Sequence, residues 1–536
     1  MIKHNDEVNS DIKARNCALD ISNSFIMQAP AGSGKTELLI QRYLKLLGVA
    51  GQPEEIIAIT FTNKAANEIK QRIISILKDA KEGVRPSEEY KITTIGFAIK
   101  VLKRSEQLNW NLIISNQRIR ILTIDGLCSE ITNKSPLAGG YRRRIVDDFE
   151  LNNVYRQASI SAINTLSDLD KYRADSIRVL SHLDGDIEKY ISLMSHMLEL
   201  RDQWVEIIGS GVTVNQKDLN HLKTILEENI GNVINNHLNA LSEIFPDTEF
   251  RSLEKAFDLL IDNQKSLVTN DHKISPTKRH TFNKNMWKAT ANLLTTNDGK
   301  WRKRISIKEG VPASQTTIKK TIIKSLSRLE KNHRLRDLLH SVKKLPESKY
   351  DENQWEVLLS LMRLLPIAVA ELKTIFNSRN ISDYIEIADS ALFSLSNDNG
   401  PTDLSLMMDY QIKHILLDEA QDTSRRQFNL IEKLVEGWEE SDGRTLFLVG
   451  DPMQSIYRFR NARVSLFLSV VKDGIGNIRP KKLKLSENYR SEKLLVEKFN
   501  EVFTKVFPNK THLLSGAVNY SKSTATKMND NEGQFE

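Results

Sequence analysis

Apolar positions recur along this chain in distinct rhythms. Near the N-terminus, Ser24–Gln28 is a short apolar run, and Glu37–Gly48 then places Leu38, Leu39, Tyr43, Leu46 and Leu47 at helical spacing. Ile56–Phe61 is a second buried run, a helix is predicted from about Ala65 to Ala80, and Ile119–Ile124 is a third run. Short apolar runs alternating with helices predict parallel βαβ units, an α/β fold over residues 1–132. From 133 to 375 the strand rhythm almost vanishes, and Asp147–Ser167, Gly185–Arg201, Asp218–Ile244 and Gln354–Ile375 all read as amphipathic helices. We therefore expect an all-helical insertion. The strand rhythm returns over 376–477, with His414–Leu417, a helix Arg425–Glu436 and Thr445–Val449. Pro480 and the basic Lys481–Leu485 strand mark the start of a further domain, 478–536, whose polar tail from Ser515 onward reads as disordered or cut short.

Composition sharpens this outline. A chain of 536 residues, 40% hydrophobic and 27% charged, is long enough for about three or four domains with true cores. No apolar run approaches the roughly 18–20 residues of a membrane span, and the polar N-terminus MIKHNDEVNS has no apolar core of a secretory signal, so a cytoplasmic protein is expected. Cys17 and Cys128 cannot build a disulfide framework or a cysteine zinc site. The formal charge of +7 hides an asymmetry. Residues 271–350 carry 20 Lys and Arg against 6 Asp and Glu, a local net of +14, which leaves −7 for the rest. That basic half of the insertion fits a polyanion partner, although a charge run alone equally describes a solvated face.

Two segments carry phosphate chemistry. Ala29, Pro30, Ala31, Gly32, Ser33, Gly34, Lys35 and Thr36 follow a strand and open a helix, the context in which a P-loop works. The glycines permit positive φ, backbone N–H groups surround a β-phosphate, Lys35 reaches the β- and γ-phosphates, and Thr36 ligates Mg²⁺. Ala29 stands where the usual pattern begins with glycine. His414–Gln421 is an apolar strand ending in adjacent carboxylates; Asp418 suits Mg²⁺ and Glu419 suits orienting and deprotonating a water. Together they predict an ATPase-type site using ATP and Mg²⁺.

Five ordered blocks, APAGSGKT (Ala29–Thr36), TFTNKAANEI (Thr60–Ile69), LLDEAQDTS (Leu416–Ser424), LVGDPMQSIYRFRNA (Leu448–Ala462) and LSENYRS (Leu485–Ser491), resemble the superfamily 1 DNA helicases of the UvrD/Rep kind. TIDGLC (Thr123–Cys128) and the helix ending in MDYQIKHILLDEAQD are most similar to its RecB/AddA-like branch. The resemblance implies a RecA-like motor domain interrupted by the helical insertion, followed by the start of a second RecA-like domain. It implies that Gln454 senses the γ-phosphate, that Arg490 contacts it from the second motor domain, and that Tyr489 stacks on the adenine. It implies that Tyr457, Phe459, Arg460, Phe61, Thr62, Asn63 and Thr123 line a track for single-stranded DNA, although Phe61 and Phe459 also read as ordinary core aromatics.

The same resemblance implies a 3′→5′ DNA translocase and helicase of DNA repair or recombination, with DNA-stimulated ATP hydrolysis. Its partners would be DNA, single-stranded or with a single-strand/duplex junction, and nuclease or other repair subunits. Two departures qualify it. Arg15 occupies the place of an adenine-reading glutamine, and a guanidinium only donates hydrogen bonds where an amide also accepts; Asp125 replaces a common histidine. Further, the 46 residues after Arg490 are too few for a second motor domain, and the later motifs with a second arginine are not in this sequence. The alternative expectation is thus a nucleotide- and single-strand-binding module without unwinding activity. A P-loop ATPase acting on RNA or protein is the third reading, and GDPMQSIYRFR argues against it.

Overall fold

The computed structural model describes residues 2–135, 143–168, 170–208, 216–263, 278–397, 400–456, 463–511 and 516–527. The chain divides into two compact units. The first comprises residues 1–158, 195–204 and 370–536, and the second residues 159–194 and 205–369.

The first unit is built on a six-stranded parallel sheet of β1 (Phe25–Gln28), β2 (Ile56–Thr60), β3 (Arg120–Thr123), β4 (His414–Leu417), β5 (Thr445–Gly450) and β6 (Lys481–Lys484), in the order β6-β1-β5-β4-β2-β3. Side chains alternate across it. Phe25, Met27, Ile56, Ala58, Leu416, Phe447 and Val449 enter the core of one face, with helices α2 (Lys35–Leu47) and α3 (Asn63–Glu82). Ile26, Ile57, Ile59, Ile415, Leu417, Leu446 and Leu448 enter the other, against helices Ile124–Lys134, Tyr384–Leu395 and Arg425–Leu434. Both faces are buried, which is why these strands read as continuous apolar runs.

Arg42 on α2 fastens α1 (Ile2–Ala18) to this frame. Its fully buried guanidinium donates to the carbonyls of Ala18, Asp20 and Asn23 and lies 4.8 Å from the Phe447 ring centroid. Burial pushes its pKa down to about 10, so it stays charged at neutral pH.

Three expectations are corrected. The boundary drawn at 478 cuts through the first unit, because Lys481–Lys484 pairs in parallel with β1 as an edge strand of its sheet. The strand itself falls where Lys481–Leu485 is expected to be one, and its exposed lysines are what keeps such an edge from recruiting a further strand. The tail from Ser515 is not without an element: Thr524–Lys527 pairs in parallel with Glu487–Glu492. The Thr526 hydroxyl donates to the Asn488 carbonyl and Lys527 Nζ to that of Arg490, so polar bonds rather than an apolar face define this strand. Finally, the ends of the 133–375 segment belong to the first unit, where Arg144–Ile145 pairs with Ile381–Ser382.

The second unit is helical. Its core gathers Phe245, Phe250, Phe257, Phe282 and Trp287, with neighbouring rings 4.9 to 6.0 Å apart. No helix among the described residues is long and apolar enough to cross a membrane, and Cys17 and Cys128 are both free.

Candidate active site

Because all six strands run in parallel, β1, β4 and β5 deliver their following loops to one edge of the sheet, where such folds bind ligands. After β1, Gly32 and Gly34 take φ of 79° and 74°. Ala29 does not, and instead donates its N–H to the Gly450 carbonyl at 3.0 Å, which is why a side chain is tolerated there. Pro30 accepts from the Ser33 amide, and Ala31 faces solvent. Gly34 is the N-cap of α2 and offers no side chain to the first-turn amides, so these donors remain for an anion.

Lys35 opens α2 and lies 2.7 Å from Glu419; Thr36 follows it, half-buried. Asp418 prolongs β4, donating its N–H to Ile59, while Glu419 adopts a left-handed φ of 51°, a strained geometry that turns its carboxylate toward Lys35. Burial, reinforced by the Glu419 charge, pushes the Asp418 carboxyl up to about 6. A buried carboxylate that costs free energy when ionised alone suits a cation, and Thr36 and Asp418 together could hold Mg²⁺ if phosphate and water oxygens complete its shell.

A relay that the sequence did not reveal continues from Glu419. Gln421 Nε2 donates to Glu419 at 2.8 Å, its Oε1 accepts from the Asp451 amide at 2.9 Å, and Asp451 accepts from Gln454 Nε2. A Cβ on Gly450 would stand 2.6 Å from Gln421 Oε1, so glycine is required beside this amide. The signal available was the amide two residues after the acidic pair.

The opposite wall comes from 485–491 and α1. The Tyr489 amide donates to the Gly32 carbonyl at 2.8 Å, and a Cβ on Gly32 would meet Asn488 Oδ1 at 2.4 Å and Arg490 Cβ at 2.9 Å. Arg15 donates to the Ser33 carbonyl and lies 5.1 Å from the Tyr489 ring centroid. Asp11, buried and without a local sequence signal, accepts from the amides of Ser486 and Glu487 and holds this segment to α1.

The track residues are less uniform. Phe61 lines a cleft of about 280 Å³ with Asp125, Tyr384 and Gln427. The Thr62 and Thr123 hydroxyls cap helices, accepting from the amides of Ala65 and Gly126, and Asn63 is exposed. Asp125 accepts from the Gln427 amide at 2.9 Å. Tyr457, Phe459 and Arg460 lie outside the described residues.

A P-loop after β1, an acidic pair after β4 on the far side of β5, and a parallel sheet define a RecA-like, P-loop motor fold. The chain belongs to the UvrD/REP helicase family, whose N-terminal-domain model matches residues 10–243 and 251–474. It is similar to proteins named as a subunit of an ATP-dependent helicase/nuclease. The one from Exiguobacterium sibiricum is 25% identical over 95% of this chain and 41% of its own length. Those of Staphylococcus carnosus and Lactobacillus helveticus are 25% and 23% identical over 89% and 94% of this chain, and 38% and 41% of their own lengths. The chain thus spans about two-fifths of the curated relatives it matches. These relatives agree with the RecB/AddA-like branch inferred from TIDGLC and MDYQIKHILLDEAQD.

Proposed function

We propose that this chain carries the nucleotide-hydrolysing motor of an ATP-driven DNA translocase and helicase, moving 3′→5′ in DNA repair or recombination. The observation that carries the reading is the connected line Lys35–Glu419–Gln421–Asp451–Gln454, which joins the phosphate loop to the segment leading into Tyr457, Phe459 and Arg460.

In this reading Lys35 binds the β- and γ-phosphates, Glu419 holds and deprotonates the attacking water, and Gln454 reports the γ-phosphate to the DNA track. Mg²⁺, when bound through Thr36 and Asp418, neutralises developing charge on the phosphates. Arg490 supplies a further positive charge from the opposite wall, and Phe61 offers a base-stacking surface. The relatives' name, which makes them a subunit of a helicase/nuclease, supports a partner protein and a nuclease activity alongside this motor.

The test is ATP hydrolysis by the full chain with and without a 3′-tailed duplex. Hydrolysis that DNA stimulates in the wild type and no longer stimulates in Gln454→Ala is the expected result. Hydrolysis indifferent to DNA in the wild type would sink the translocase reading.

A further inference from the structure

Helix α1 turns one face inward, with Ala14 and Ala18 in the core of the first unit and Asp11 and Arg15 one helical turn apart beside them. The two polar residues hold different walls of the nucleotide site. Arg15 donates to the Ser33 carbonyl in the phosphate loop, and Asp11 reaches the segment 485–491 that carries Arg490. Successive turns of a helix stand about 5.4 Å apart along a stiff axis. α1 is therefore a strut that fixes the spacing between the loop and the wall facing it.

The Asp11 contact is made mostly with backbone. Its carboxylate, 1% exposed, accepts the Ser486 amide at 3.0 Å, the Glu487 amide at 2.9 Å and the Ser486 hydroxyl at 2.8 Å. Two successive amides on one carboxylate set both the position and the direction of the chain. Asn488 Oδ1 then accepts the amides of Arg490 and Ser491, each at 2.9 Å. The Tyr489 amide is held by Gly32, and a Cβ on Gly32 would stand 2.9 Å from Arg490 Cβ. Packing contributes little here, since Glu487–Glu492 pairs with the short Thr524–Lys527 and exposes Tyr489, Arg490 and Glu492. The place of Arg490 depends on polar bonds, and Asp11 anchors them to the rest of the unit.

We propose that Asp11 is a positioning residue for hydrolysis: through the backbone of Ser486 and Glu487 it sets Arg490 against the γ-phosphate. This rests on the reading of Arg490 as the positive charge on the wall facing the phosphate loop. An arginine that stabilises developing charge acts only when well placed, and a shift of about 1 Å can cost about 10² in rate. What the bonds require of Asp11 is acceptor oxygen rather than charge. In Asp11→Asn one oxygen still accepts the amides, and the side-chain N–H₂ can donate to the Ser486 hydroxyl oxygen.

Steady-state phosphate release by the full chain, with kcat and KM for ATP measured separately, tests the proposal. Asp11→Ala is expected to lower kcat about tenfold and to move KM by less than about threefold. Asp11→Asn is expected to restore kcat to within about threefold of wild type. In an Arg490→Ala background, Asp11→Ala should change kcat by less than about twofold, because the group it places is gone. Unchanged kcat in Asp11→Ala, or a loss that Asp11→Asn does not restore, overturns the proposal. So does a further loss of the same size on top of Arg490→Ala, which is what a role in folding alone would produce.

If Asp11→Ala does not fold, the same cycle is run with Ser486→Ala, which removes only the hydroxyl donor. A fall in kcat of about threefold, absent beside Arg490→Ala, is then expected, and no fall overturns the proposal. Wild-type turnover in Arg490→Ala, or a wild type that releases no phosphate, is a failure of the hydrolase reading itself. Either removes this proposal with it, before any Asp11 variant is measured.

Discussion

Lys35 and Glu419 lie 384 residues apart in the chain, and their charged ends lie 2.7 Å apart in the fold. The lysine that would bind phosphate is held by the carboxylate that would activate water, so a nucleotide must take Lys35 from Glu419.

This competition predicts an asymmetry between two variants. Glu419→Gln frees Lys35, so ATP binding is expected to be unchanged or a few-fold tighter, while turnover falls by about 10²–10⁴ with the loss of the general base. Lys35→Ala should lose both binding and turnover and leave Glu419 without its counter-ion. Fluorescent-nucleotide titration and phosphate release separate the effects; wild-type turnover in Glu419→Gln would remove that residue from the chemistry.

Asp418 sets a pH dependence. Its carboxyl stands at about 6 in the folded chain against an ordinary 3.8, raised first by burial and then by Glu419. Between those values the ligand-free fold holds a proton that the unfolded chain releases. Its contribution to stability therefore falls as pH rises from about 4 to about 6. Mg²⁺ needs the ionised form, so apparent Mg²⁺ affinity should drop about tenfold per pH unit below about 6. Asp418→Asn is expected to raise the melting temperature of the ligand-free protein at neutral pH while abolishing Mg²⁺-dependent hydrolysis. A variant no more stable than wild type would mean that the buried charge costs nothing.

The legible and illegible parts differ for physical reasons. Ile56–Thr60 and His414–Leu417 were visible because strands buried on both faces must be apolar throughout, and the glycines of 29–36 because close approach to phosphate demands them. Thr524–Lys527 was not, since an edge strand is held by backbone bonds that any side chain permits, and Lys481–Lys484 was visible as a strand but its pairing with β1 was not, for the same reason. The helix Glu89–Gln107, which packs on α2 and α3, escaped because its apolar positions are spread around it. Gln421 and Asp11 act by bonding to distant backbone, at Asp451 and at Ser486 and Glu487, and no local pattern reports such partners.

The basic cluster of the second unit divides by role. Arg302 is 3.0 Å from Glu309 and donates to the Asn292 carbonyl, while Glu309 caps Ser306. Lys303 and Arg304 are exposed. If this surface binds DNA, Lys303→Gln with Arg304→Gln should weaken binding uniformly across sequences and reduce the slope of log K against log salt by about 2 between about 50 and 200 mM. Arg302→Gln should instead lower thermal stability and leave the slope unchanged. Fluorescence anisotropy on a tailed duplex reads the slopes; an unaltered slope in the double variant makes the pair a solvated face.

Arg201 is the buried fastening of the 195–204 segment to the first unit. Its guanidinium donates to both oxygens of Asp383 at 2.7 and 2.6 Å, and Tyr155 donates to the same carboxylate at 2.7 Å. Burial alone would push Asp383 up, but the Arg201 charge outweighs it and holds the carboxyl below the ordinary range. The stabilisation is therefore present at neutral pH and lost only as pH falls through that depressed value. Arg201→Ala leaves a buried charge without its partner and should cost about 3–5 kcal/mol, whereas Tyr155→Phe, which removes one hydrogen bond, should cost about 1 kcal/mol. Replacing the pair together, as Arg201→Met with Asp383→Leu, should recover part of the loss, because the Asp383 charge is no longer stranded while the Tyr155 hydroxyl and the Glu386 amide lose their acceptor and Glu386 its nearby cation. Urea unfolding of the three variants reads this order directly, and a double variant less stable than Arg201→Ala would show that geometry rather than charge holds the segment.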